Sequence, residues 1–353
     1  MKFGVFDHMD DAGVPHGELY ANRLQLVEAF DRAGFHAYHL AEHHGTPIGC
    51  AASPGLFLAA LAQRTRRLRF GPMVYLLPFY HPLRLIEEVC MLDQMSGGRL
   101  ELGIGRGVSP FETAAYGLDF AQTQSMYHEA FQVLLKGITS DELTFEGKFY
   151  RFAKVRMMMR PVQRPHPPLW YGVNLPENAD WPAENDVNII SLAPPQAVRP
   201  IFERYLSART RLNKDDSTLR GVGRHVVVAE TDVQALAIAR RSYPRWRANF
   251  FWLFERHGSA PRVANLYPKT FDEVMALGTA VAGSPQTVAD FVASDIKATG
   301  ANYWTPWLAF GDMTLAETLH SVKLFASEVM SGRSHDAAPL RLAADLSPAS
   351  SAA

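Results

Sequence analysis

The stretch LAEHHGTP, residues 40–47, sets an acid and two histidines side by side where an apolar run ends. Glu42, His43 and His44 are residue types that move protons, because imidazole titrates near neutrality and a carboxylate beside it tunes that titration. By type they are also zinc or iron ligands. Two observations work against a metal. Neighbouring strand residues point to opposite faces, so His43 and His44 do not chelate together, and the first β-rich run ends in FDHMDD, with no His-x-His pair. A plainer reading, in which one histidine caps a core strand by bonding to backbone, stays open at this point.

GIGRG at 103–107 is a second candidate. A dinucleotide fingerprint needs glycine at 108, where this chain has Val108, and belongs at a first strand. The glycines more simply clear space for something planar, with Arg106 as a fixed positive charge for a phosphate. Met157, Met158 and Met159 read as plastic packing under a hairpin. Phe250, Phe251, Trp252 and Phe254 have helical spacing and either line a hydrophobic pocket or pack on the core.

The elements that position these residues alternate from the start. β-rich runs at 2–6, 37–44, 68–78 and 100–107 are each followed by amphipathic segments, including 19–33, a helix opened by Ser53-Pro54 with Leu56, Phe57, Ala60 and Leu61 inward, and a helix after Pro82 stopped by Gly97-Gly98. Four β-then-α units imply a parallel α/β sheet, doubly wound or closed. Leu100, Leu102 and Ile104 share one face of the fourth strand and Glu101, Gly103 and Gly105 the other, which fits a single (β/α)8 TIM barrel better. A hairpin at 142–157 follows the helix at 124–135, the fourth. Runs at 167–173, 188–194, 223–230 and 301–308 supply strands five to eight. Residues 242–277, broken by Pro244, Pro261 and Pro268, form an insertion between strands seven and eight. A helix restarts at Ser284-Pro285, and 331–353 reads as a flexible tail after a domain of residues 1–330. In a barrel the ends of all strands meet at one mouth, so Glu42, His43, Met73, Arg106 and Asn174 are expected together.

Composition narrows the partners. With 353 residues, 47% of them hydrophobic, the chain can bury a large core. Its 35 basic and 36 acidic side chains leave a net charge of −1, so there is no electrostatic footprint for nucleic acid or an anionic membrane, and a small molecule is the expected partner. Cys50 and Cys90 make no CxxC pair, and the start MKFGVFDHMDD carries acids where a signal core would be. A cytoplasmic protein with reduced thiols is expected. The longest uncharged stretch, 45–63, holds Pro47, Ser53, Pro54 and Gln63, so no membrane span is expected.

AEHHGTP, LLPFYHPLRLIEEVCMLDQMSGGRLELGIGRG and GSPQTVADFVASDIKATG together resemble the bacterial luciferase-like monooxygenases, flavin-dependent enzymes on an eight-stranded α/β barrel. The resemblance runs from residue 2 to about 330 and is most specific over 81–107. It implies FMN, reduced by a separate flavin reductase, and oxidation of an aldehyde, ketone or alkane with oxygen. Carried over by position, it places the catalytic histidine on His43, with Glu42 beside the flavin ring. The phosphate arginine falls on Arg106, followed by the backbone of Val108 and Ser109, and a non-proline cis peptide on Met73–Val74, also at the flavin. A homodimer is implied. The chain departs from the pattern in three places. Asn174 and Asn178 stand where the luciferase has an acid and hydroxyls, QTQSMYHE lacks a second phosphate arginine, and Gly105 replaces a cysteine. Weaker FMN binding or a different flavin follows from these departures. A deazaflavin-dependent dehydrogenase and a non-catalytic flavin-binding partner subunit are therefore the alternatives.

Overall fold

The computed structural model describes residues 1–331, and the tail expected at 331–353 lies, but for Ser331, outside them. Strands and helices alternate in an α/β fold whose central sheet is mostly parallel. The first strand comes in two pieces, Lys2–Phe3 and Val5–Asp7. Val5 lies opposite Tyr38 of the strand Ala37–Leu40, and Ala37 lies opposite Arg69 of the strand Arg69–Pro72. Tyr75–Leu76 pairs with Leu102–Gly105, which pairs with Leu169–Gly172. The path continues through Asn188–Ser191 and Arg220–Val228 to Tyr303–Trp307, and Phe3 lies opposite Trp304 of that last strand.

Local chemistry explains the boundaries. The expected strand 68–78 is two strands because the chain turns at Met73–Val74, a cis peptide as expected for this position. Gly97, at φ 65, ends the helix Pro82–Ser96 in the left-handed conformation that glycine adopts without steric cost. Gly71 and Gly103 serve a close approach of the third and fourth strands. A Cβ on Gly71 would sit 1.6 Å from the Glu101 carbonyl oxygen, and one on Gly103 would sit 2.1 Å from that of Pro72. The antiparallel hairpin Glu142–Glu146/Arg151–Arg156 follows the helix Thr123–Thr139.

Three readings need correction. Leu56 and Ala60 face solvent, Leu56 at 76% exposure, while Phe57, Leu58, Leu61 and Ala62 carry the buried stripe of Pro54–Arg64. Pro244 does not interrupt the chain but lies inside the 25-residue helix Asp232–Arg256. It is carried there by the buried rings of Tyr243 and Trp246 on either side, each such burial contributing about 1.5–3 kcal/mol. No strand was expected between residues 277 and 284, and Ala280–Gly283 is one, paired with His225–Val228.

Packing is fixed at one point by a buried ion pair. Arg224, fully buried, donates from Nε and Nη2 to the two oxygens of Asp295 at 3.0 and 3.1 Å, and Trp304 Nε1 donates to the same carboxylate at 2.8 Å. Strand Arg220–Val228 is thus locked to helix Pro285–Thr299. Removing one partner leaves a charge in low dielectric. Asp295→Ala is therefore expected to lower the unfolding free energy by about 3–5 kcal/mol, read from urea denaturation followed by far-ultraviolet circular dichroism. A loss under 1 kcal/mol would remove the pair from this role.

Candidate active site

A cavity of about 450 Å³ opens where the strands end, within the range of small-molecule sites. Each of six consecutive strands or the turn after it contributes, through His8, His43, Val74, Arg106, Asn174 and Leu192. The opposite wall comes from Phe250, Leu253 and Phe254 of Asp232–Arg256 and from Val263, Leu266 and Tyr267 beyond it. The lining is mainly apolar with a few convergent polar groups.

The two histidines at the end of the second strand part company, as neighbouring residues on extended chain must. His43 enters the cavity wall and its Nδ1 meets Glu112 Oε1 at 3.3 Å. His44 turns outward, with Nε2 2.7 Å from Glu42 Oε1 and Nδ1 2.8 Å from the Tyr116 hydroxyl. Neither histidine is a mere strand cap. Glu42 is buried, lines the cavity, and accepts from the Leu76 amide at 3.2 Å through its other oxygen.

Glu112 reaches His43 because of its local sequence. Ser109 caps the short helix Pro110–Ala115, its Oγ accepting from the Glu112 amide at 3.2 Å, and Pro110 presets the first turn. The Glu112 carboxylate then also accepts from the His44 amide at 2.7 Å. Burial works against a charged His43, but the Coulombic and hydrogen-bonding pull of Glu112, with Glu42 behind it, prevails and raises its pKa above the ordinary histidine value. Burial likewise opposes the Glu112 charge, and His43 outweighs it, so that carboxyl is held below its usual range. For Glu42 burial is the larger effect and its pKa is raised despite His44, the Leu76 amide and Tyr80.

His8 was not expected here. Its ring stacks on His43 with centroids 5.7 Å apart and lies 5.0 Å from Trp307 and 5.7 Å from Trp246. Burial first, then the charges of His43 and His225, push its pKa well down, so it is a neutral wall. His225 lies behind it among Trp246, Trp307 and Phe310 and is also held neutral by burial. The signal for His8 was its place at the end of the first strand. Glu112 left only the S-x-x-E pattern of a helix start, which says nothing about a partner 69 residues away.

The remaining expected residues divide. Met73, Val74, Arg106, Val108, Ser109 and Asn174 all line the cavity. Arg106 lies over the Phe120 ring, 4.7 Å from its centroid, with Nη1 3.5 Å from Thr123 Oγ1. Gly172 lines the cavity too, and a Cβ there would meet nothing within 4 Å, so glycine leaves that space free for a ligand. The Ser191 hydroxyl donates to Asn174 Oδ1 at 3.3 Å. Asn178 is exposed at the end of the turn Pro176–Asn178 and does not line the cavity. The aromatic cluster does both things expected of it. Phe250 and Phe254 face the cavity, Phe251 is buried, and Trp252 is exposed beneath Arg256. Of the methionine run only Met157 is buried.

Among the described residues no three His, Cys, Asp or Glu side chains are grouped to hold a metal, and no helix is long and apolar enough to cross a membrane. The arrangement instead suits a planar, phosphate-bearing cofactor. It offers a mainly apolar lining left open at Gly172, with Arg106 and Arg262 among its members and a proton-bearing imidazole, that of His43, in its wall.

Comparison with known proteins agrees with this chemistry. A protein of Sinorhizobium fredii designated y4wF is 41% identical over 333 residues, covering 94% of this chain and 96% of its own. The oxygenase component of the flavin-dependent trigonelline monooxygenase of Acinetobacter baylyi is 28% identical, with 68% of each chain covered. The oxygenating constituent of the Pseudomonas putida 3,6-diketocamphane monooxygenase, a type II Baeyer–Villiger enzyme solved with FMN, shares the fold. It has a TM-score of 0.80 and 22% identity, covering 93% of this chain and 98% of the other. The family model for luciferase-like monooxygenases matches residues 1–303, and the chain belongs to that family.

Proposed function

We propose that this chain is the oxygenase component of a two-component flavin system. A separate reductase supplies reduced FMN, and the enzyme oxidises a small apolar substrate of the aldehyde, ketone or alkane type. Residues 1–330 then form one closed (β/α)8 barrel, with the hairpin at 142–157 and a segment between strands seven and eight, beyond the helix Asp232–Arg256, as insertions, working as a cytoplasmic homodimer. The observation that carries the reading is the His43–Glu112 pair in the wall of a mainly apolar cavity that Arg106 also lines.

In this reading Arg106 and the backbone of Val108 and Ser109 hold the phosphate, with Asn174 nearby and Asn178 recruited only by movement of its turn. Glu42, Met73 and Val74 border the ring. Reduced FMN, when bound, supplies the electrons that activate dioxygen for transfer to the substrate. Everything else falls to the protein. Glu112 accepts from His43 Nδ1–H, which leaves Nε2 to serve oxygen atoms in the cavity. The raised pKa keeps a larger share of His43 protonated near neutrality, so Nε2–H donates a proton or a charged hydrogen bond there. Phe250, Leu253 and Phe254 keep competing water out. The QTQSMYHE stretch, which offers no second phosphate arginine beside Arg106, is the feature that favours the rival reading, hydride transfer with a deazaflavin, although Arg262 also lines the cavity. A non-catalytic partner subunit would have no use for the buried Glu112.

Anaerobic titration with reduced FMN and reduced deazaflavin side by side, then air and a panel of aldehydes and ketones, tests the proposal. Tight binding of FMN and oxygenated product are expected, whereas binding of the deazaflavin alone sinks it. His43→Ala should cut product by roughly 10²-fold or more with flavin affinity nearly unchanged, and equal yield in that variant would clear His43 of the role.

The pair also makes a pH prediction. The His43 imidazolium stabilises the fold fully below its ordinary value of about 6.5, and this is lost as pH rises through the raised folded value. The Glu112 carboxylate, held low, contributes above the ordinary carboxylate range and loses that contribution as pH falls through its folded value. Glu112→Gln should lower the His43 pKa, followed by NMR titration of the imidazole. The alkaline fall of the pH–rate profile should move to lower pH by the same amount.

A further inference from the structure

We infer that Glu42, His44 and Tyr116 form a proton relay between the cavity and the surface, separate from His43 and resting on the reading that the cavity houses the reaction. Glu42 lines the cavity and its carboxylate is shielded from solvent. His44 Nε2 lies 2.7 Å from Glu42 Oε1, and His44 Nδ1 lies 2.8 Å from the hydroxyl of Tyr116, whose side chain is exposed. The path thus crosses the wall in two hydrogen bonds. It is held rigidly at the outer end, because the Tyr116 ring stacks on Phe79 with centroids 4.5 Å apart and planes at 4°, and the His44 ring packs against both.

A neutral imidazole has one donor and one acceptor nitrogen, so the three groups have two complete hydrogen-bonding states. In the first, Glu42 is ionised and accepts from His44 Nε2–H, while Nδ1 accepts from the Tyr116 O–H. In the second, the Glu42 carboxyl donates to Nε2 and Nδ1–H donates to the Tyr116 oxygen. Passage from the first to the second moves the tyrosine proton to Nδ1 and the Nε2 proton to Glu42, and surface water returns a proton to the tyrosine oxygen. One proton enters, His44 ends neutral and no other bond changes. The reverse sequence exports one. Burial favours a neutral Glu42 carboxyl, so the second state is within reach. When substrate and cofactor fill the mouth, this path still connects the reacting groups to bulk protons.

Tyr116→Phe keeps the stack on Phe79 and removes only the hydroxyl. With histidine labelled by nitrogen-15 in the full chain, and His44 assigned by its loss in His44→Gln, the wild type should show a neutral ring exchanging between both tautomers. The variant should collapse to the Nε2–H tautomer. In single-turnover oxygenation the variant should be slowed by about tenfold or more, with a larger solvent deuterium isotope effect, and added imidazole should restore the rate. A tautomer ratio unchanged by the substitution, or a His44 imidazolium persisting through neutrality, overturns the relay. So does a slowed variant that imidazole leaves slow, which marks a structural role. If the wild type oxygenates nothing, the functional reading falls and the nitrogen spectra decide the relay by themselves.

Discussion

One carboxylate, that of Glu112, sets the geometry of the site. It accepts from the His44 amide, meets His43 Nδ1, and belongs to a helix fixed by the Ser109 hydroxyl. The end of the second strand and the loop after the fourth are thereby held to one another through the Glu112 side chain, with the His44–Tyr116 contact beside it. Arg106 leads into that same loop, and its own side chain is placed by Phe120 and Thr123. A carboxylate this buried is tolerated only when its charge is matched and its oxygens bonded. That requirement is why the histidine beside it is kept charged more readily than a free one.

Charge in the cavity is confined by what surrounds that pair. Of the histidines near the mouth, His8 and His225 are neutral because they are packed among Trp246 and Trp307. A protonated His8, stacked on His43, would repel the imidazolium that Glu112 stabilises. Keeping His8 neutral by burial removes that conflict and supplies a flat, apolar surface beside the reactive nitrogen. The aromatic packing therefore bears on the chemistry as well as on stability.

The parts of the structure legible from sequence were those fixed by local rules. The second, fourth and fifth strands and the stop at Gly97 follow from hydrophobic runs and glycine conformation, although the strands end at Leu40, Gly105 and Gly172, short of the expected 44, 107 and 173. His43 and Arg106 were found because they stand at such ends. Glu112 was not, since its role depends on a partner brought near only by the arrangement of strands two and four. Leu56 and Ala60 were placed inward because several apolar residues in Pro54–Arg64 crowd both faces, and composition cannot say which face meets the sheet. Pro244 misled in the opposite direction. A local rule ends a helix there, and the burial of Tyr243 and Trp246 overrides it.

The dipeptide His43-His44 shows why the types of residue said less than their directions. Each imidazole has a carboxylate partner, yet the pairing is crossed in space. The inner histidine takes Glu112 from a distant helix, and the outer one takes Glu42 from its own strand end. Glu42 meets His44 directly two residues on, whereas His43 takes its carboxylate from the helix Pro110–Ala115. The result is two coupled acid–imidazole pairs, one facing the cavity and one reaching toward the surface, with Glu112 also bonded to the His44 amide.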